Sequence, residues 1–155
     1  IKNGEVVPAH FVFPMYVDLI VDSIPKDFRK IFGFNPIDEP LLKTVFEKKE
    51  FVMIKEFGKK LLLPKIDVLL AMKASSIPSR DRGHKKIKDI CDMFALAWYT
   101  DINIEEVNLT KYVPKKLLNK CLKSITDKDF EKAAAQVGHE KDELKRVTSI
   151  ICEKK

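Results

Sequence analysis

The chain is short of cysteine, of long apolar runs and, in its most basic segment, of acid. Three cysteines, Cys91, Cys121 and Cys152, stand far apart, each inside a helical pattern. An odd count without a Cys-x-x-Cys pair argues against a disulfide framework or a zinc site and predicts buried, reduced thiols. No run of eighteen apolar residues and no secretory signal occur, which predicts a soluble, cytoplasmic protein with no membrane partner. Repeats and low-complexity linkers are missing too. The 155 residues therefore predict one domain, or a small domain with a helical tail, long enough to bury a core.

Positive charge is abundant. Lys and Arg outnumber Asp and Glu by 29 to 23, a formal net charge of +6, which points to polyanionic partners such as nucleotides or nucleic acid. The start at Ile1, before a polar Asn-Gly-Glu segment, suggests a piece of a longer protein.

The hydrophobic pattern divides the chain into a sheet-containing part, 1–63, and a helical part, 64–155, an α+β arrangement with a small mixed sheet and short helices ahead of a helical C-terminal half. Strands are predicted near 9–13 and 16–22, short helices after Ser23 and over 39–48, and a hairpin of 51–57 with 60–63 bent at Gly58. In the strand at 16–22, Asp18 shares a face with Tyr16 and Ile20. An ionised carboxylate at mid-strand costs several kcal/mol unless it is paired or holds a metal. Beyond Tyr99 come a helix over 113–125, a helix capped by Thr126 with Asp129 in the capping-box position and Gly138 as its stop, and a last helix over 139–153. The run from Lys111 to Lys123 holds Lys111, Lys115, Lys116, Lys120 and Lys123 without one acid, a solvated face or a nucleic-acid contact.

Residues 64–99 carry the densest chemistry. Two amphipathic helices are predicted there, joined by a short loop. Lys73 sits on the apolar face formed by Ile66, Leu69, Leu70 and Ile77, where a lysine needs an explanation. On the second helix Asp89 and Asp92 flank the stripe of Ile87, Ile90, Cys91, Phe94 and Trp98, and Arg80, Arg82, His84, Lys85, Lys86 and Lys88 crowd around the turn. Two readings stand. In the plain one, Lys85–Asp89 and Lys88–Asp92 are four-apart pairs contributing about 0.2–0.5 kcal/mol each, and Lys73 snorkels or pairs with Asp89 or Asp92 across the hairpin. In the functional one, Lys73 and Arg80, with Lys86 or Lys88 nearby, bind a polyphosphate while Asp89 and Asp92 orient the cations. Asp18 then accepts a proton or holds a divalent cation.

The run LLAMKASSIPSRDRGHKKIKDICDMFAL resembles the later part of the nucleotidyltransferase family that includes the AbiEii/AbiGii-type abortive-infection toxins. Lys73, Arg80, the Lys88-Asp89 pair and Asp92 match that family's series in order and approximate spacing, and VDLIVD at 17–22 is similar to its strand bearing the third carboxylate, at Asp18. The resemblance covers about residues 15–99. It implies a polymerase-β-like fold, Mg2+ as cofactor with Asp18 as a ligand, a nucleoside triphosphate substrate, a hydroxyl acceptor, and RNA or an antitoxin protein as further partners. The family's Gly-Ser turn and Asp-x-Asp strand are missing: there is no Gly-Ser dipeptide, and the sole Asp-x-Asp, Asp127 to Asp129, opens a helix. The resemblance then implies either that these motifs precede Ile1 or that the chain is a degenerate member that binds without catalysing. A non-catalytic module for nucleic acid or a partner protein is the rival reading.

Overall fold

The computed structural model describes residues 18–56 and 58–153. The strand expected at 9–13 and the start of that at 16–22 lie outside the described residues. The class is α+β, with small sheets ahead of a helical C-terminal half. Among the described residues the strands pair as two two-stranded sheets. They belong to two compact units, 1–40 and 41–155.

In the first unit β1 (Ile20–Val21) and β2 (Ile37–Asp38) pair in parallel, Ile20 opposite Ile37, with α1 (Phe28–Phe32) between them in sequence. Gly33, at φ 76°, ends α1 in the left-handed conformation that glycine adopts without cost, as its place after the last apolar residue predicts. Phe28 is buried against the rings of Phe32 and Phe34, at centroid distances of 4.6 and 5.5 Å.

The second unit begins with α2 (Leu41–Glu47) and the antiparallel hairpin of β3 (Phe51–Glu56) and β4 (Lys59–Pro64), turned at Gly58 with φ 70°. The hairpin and the helices that follow it fall in the same unit. The Lys65 backbone N–H donates to the Glu50 carbonyl at 3.0 Å, and the Lys65 ammonium meets the Glu50 carboxylate at 2.7 Å.

Helix α3 (Ile66–Ser76) runs into a 3-10 turn, Ile77–Ser79, and α4 (Gly83–Trp98) follows. Then come α5 (Lys115–Ser124), entered from Pro114, α6 (Asp127–Val137) and α7 (Lys141–Cys152). The capping box at Thr126 and Asp129 forms as its residues predict, and Gly138 closes α6 at φ 72°. Helix α4 lies at the centre, against α3, α6 and α7. Leu70, Ile90, Phe94, Leu118, Leu144 and Ile151 are fully buried there, each contributing roughly 1.5–3 kcal/mol. The three cysteines are free thiols, Cys121 and Cys152 in this core. Among the described residues no helix is long and apolar enough to cross a membrane.

Candidate functional site

Lys73 lies in the last turn of α3 and Asp89 in the second turn of α4, and the 3-10 turn between the helices folds the chain back so that they face each other. The face of α3 that packs inward is wide, comprising Val68, Leu70, Ala71 and Ala74 and continued by Ile77 of the 3-10 turn, and Lys73 stands at its margin with 29% of its side chain exposed. Its ammonium donates to Asp89 Oδ1 at 3.1 Å and to Asp92 Oδ2 at 2.6 Å. Arg80, just past the turn, donates from Nε to Asp89 Oδ2 at 2.6 Å, and the Ser76 hydroxyl donates to the same oxygen at 3.0 Å.

Asp89 is therefore the hub. It is 2% exposed, and burial by itself would raise its pKa. The hydrogen bonds from Arg80 and Lys73 outweigh that, holding the carboxyl below its usual range and so ionised. For Lys73, burial works against the ammonium, and the bonds to Asp92 and then Asp89 overcome it, raising its pKa. Two cations and two carboxylates make the cluster neutral as a whole.

The network retains capacity for an anion. Two of the three Lys73 N–H groups are committed, and among the described residues Arg80 donates to a side chain only through Nε, which leaves the Nη edge of its fork. Lys73 and the half-buried Asp92 line a cleft of about 350 Å³ with Leu69, Ala95, Leu96 and Thr100. Leu69, Leu96 and Thr100 also line a larger apolar groove of about 760 Å³ that runs to Val52 and Leu63 of the hairpin.

Lys73, Arg80, Asp89 and Asp92 thus come together, and the cross-hairpin pairing open to Lys73 in the plain reading is the one that forms. Neither four-apart pair forms among the described residues: Asp89 turns inward, and Asp92 meets Lys73. Lys86 and Lys88 are not in the cluster. Lys86 donates to the Ser124 carbonyl and to Asp129 Oδ2, both at 3.1 Å, and so ties α4 to the end of α5 and the cap of α6. Lys88 is exposed on another face of α4.

Asp18 corrects the mid-strand expectation. The ladder begins only at Ile20, so Asp18 precedes β1 and is exposed, and water removes the penalty that called for a metal. Among the described residues no three of His, Cys, Asp and Glu form a group able to hold a metal ion, and both Asp89 oxygens are engaged by donors. The described residues do not fit a magnesium site.

Ser76 was not singled out by sequence reasoning, although its place three after Lys73 puts it on the same side of α3. No family model, no curated protein and no solved structure matches the chain.

Proposed function

We propose that the chain is part of a nucleotidyltransferase-like protein in which the cleft beside Lys73 receives the phosphates of a nucleoside triphosphate, for transfer of the nucleotidyl group to a hydroxyl acceptor. The observation that carries this reading is a half-buried lysine, held charged by Asp89 and Asp92, with an uncommitted N–H at the wall of a cleft. An arriving phosphate oxygen takes up the free N–H of Lys73 and can displace the rim carboxylate of Asp92, while Arg80 offers its Nη edge. Asp89 keeps both cations in place. Asp18, to which the family resemblance gives the role of base, is exposed in the first unit. The sequence series Lys73, Arg80, Lys88-Asp89 and Asp92 supports the same class through its family resemblance.

The test is calorimetric titration of ATP, GTP, CTP and UTP, with and without magnesium, onto wild type and Lys73→Ala. At least one triphosphate is expected to bind wild type about tenfold more tightly, the loss of one charge-assisted hydrogen bond. Equal affinity in both proteins removes Lys73 from the site. A second reading rests on α5, where Lys115, Lys116, Lys120 and Lys123 line one exposed surface with Asn119. As a non-catalytic nucleic-acid module the protein binds a polynucleotide without magnesium, with an affinity that falls steeply with salt.

A further inference from the structure

A second polar cluster, sharing no residue with the Lys73 site, lies where the end of α4 meets the start of α7. Gly138 turns the chain so that the His139 ring packs on α4, with centroids 4.8 Å from Phe94 and 5.2 Å from Trp98. His139 Nδ1 lies 3.1 Å from Glu143 Oε2, and Nε2 lies 2.6 Å from the Tyr99 hydroxyl. Glu143 is fixed in turn, since the same oxygen accepts the Glu140 backbone N–H at 3.3 Å in the capping box of α7.

These contacts settle the proton positions. The hydrogen bond from His139, then that from the Glu140 amide, hold the Glu143 carboxyl below its usual range, so it is ionised at neutral pH and only accepts. In the neutral imidazole, Nδ1 therefore carries the proton and Nε2 presents its lone pair to the phenol O–H. The base is sheltered, with 19% of the His139 side chain exposed, whereas Tyr99 is 64% exposed and open to a reactant. Carboxylate, imidazole and hydroxyl in this order are the arrangement that makes a hydroxyl nucleophilic. Capping α7 requires Glu140 and Glu143; it does not require the hydroxyl of Tyr99.

We propose that Tyr99 is a base-activated nucleophile and a site of covalent modification, taking a phosphoryl or nucleotidyl group from an organic phosphoanhydride. The Tyr99 oxygen forms a bond to phosphorus as the bridging P–O bond of the anhydride breaks, and the leaving phosphate departs with that electron pair. The phenolic proton passes to His139 Nε2, giving an imidazolium paired with Glu143. His139 is the base and Glu143 a positioning residue. The titratable groups around the imidazole are Glu143 on α7 and Tyr99 at the end of α4, and the charge of Arg146 reaches Glu143.

The experiment treats the full chain with diisopropyl fluorophosphate, in which fluoride replaces the leaving phosphate, and follows the adduct on each tyrosine by peptide mass spectrometry. Tyr99 is expected to react faster than Tyr112, whose hydroxyl donates to Asp67 Oδ2 at 2.8 Å and whose pKa is raised by burial and by that bond. His139→Gln is expected to slow Tyr99 labelling about 100-fold, the usual scale of general-base assistance, with Tyr112 labelling and far-ultraviolet circular dichroism unchanged. Glu143→Gln slows it less, because the imidazolium loses its anionic partner while the base stays in place. Equal labelling of Tyr99 in wild type and His139→Gln overturns the proposal. If His139→Gln does not fold, wild type decides: labelling of Tyr99 well ahead of Tyr112 supports the relay, and labelling of Tyr99 no faster than Tyr112 overturns it.

Discussion

Lysine occurs in this protein in two opposite settings. On α5, Lys115, Lys116, Lys120 and Lys123 are exposed, and no ion pair with a carboxylate is formed by any of them among the described residues. At the junction of α3 and α4, one lysine meets two carboxylates, one of them almost wholly buried. The α5 face is the richer in charge, yet water solvates each of its cations and the fold does not depend on them. The junction carries no net charge, yet its members cannot be removed singly without stranding a partner. A count of cations finds the first region; the burial of the partner carboxylate distinguishes the second.

The sharpest break of that contrast is at Asp89. Asp89→Asn leaves Arg80 without its anion and Lys73 with Asp92 alone, and the expected cost is roughly 1–3 kcal/mol. The double change Lys116→Gln with Lys120→Gln is expected to stay within about 0.5 kcal/mol. Urea unfolding of both variants measures the difference, and similar midpoints would erase the distinction between the two regions.

Acid tests the same carboxylate with a smaller effect. A group whose pKa is depressed on folding contributes stability above its unfolded value and loses it as the pH falls through the folded value. For Asp89 that loss falls below its ordinary value of 3.8. Lys73, with a raised pKa, has the reverse sign: its contribution is complete below 10.5 and fades above it. The stability difference between wild type and Asp89→Asn is thus expected to be flat through neutral pH and to shrink only under strong acid. A difference that already shrinks between pH 6 and 5 would assign it to another group.

Much of this junction was legible because its signals are local. Lys73 stands out against an apolar face, Asp89 and Asp92 lie three apart on one helix, and Thr126 and Gly138 mark helix ends by their own backbone chemistry. What was not legible depends on pairing between distant segments. The sequence alternation around Asp18 suggested a strand, but strand length is set by the partner, and β2 pairs only from Ile37. His139 drew no attention because its partner Tyr99 is 40 residues away, although Glu143, four residues on, was a local hint.

The smallest effect concerns two lysines that the sequence made equivalent. Lys86 and Lys88 lie two apart on α4, and both were candidate phosphate ligands. The Lys86 side chain is 20% exposed and reaches Asp129, 43 residues away, where the same oxygen already accepts from the Thr126 backbone and hydroxyl. Lys86→Gln removes a charged donor from that cap and from the Ser124 carbonyl, an expected loss of about 1 kcal/mol, whereas Lys88→Gln, at an exposed position, is expected to change stability by less than about 0.5 kcal/mol. Thermal unfolding of the two single variants separates them. If Lys86→Gln costs no more than Lys88→Gln, the tie between α4 and the cap of α6 contributes nothing, and Lys86 returns to the cations free to meet a phosphate. If it costs more, the cationic turn divides into one lysine that joins helices and one that faces solvent, and only the second remains a ligand for an anion.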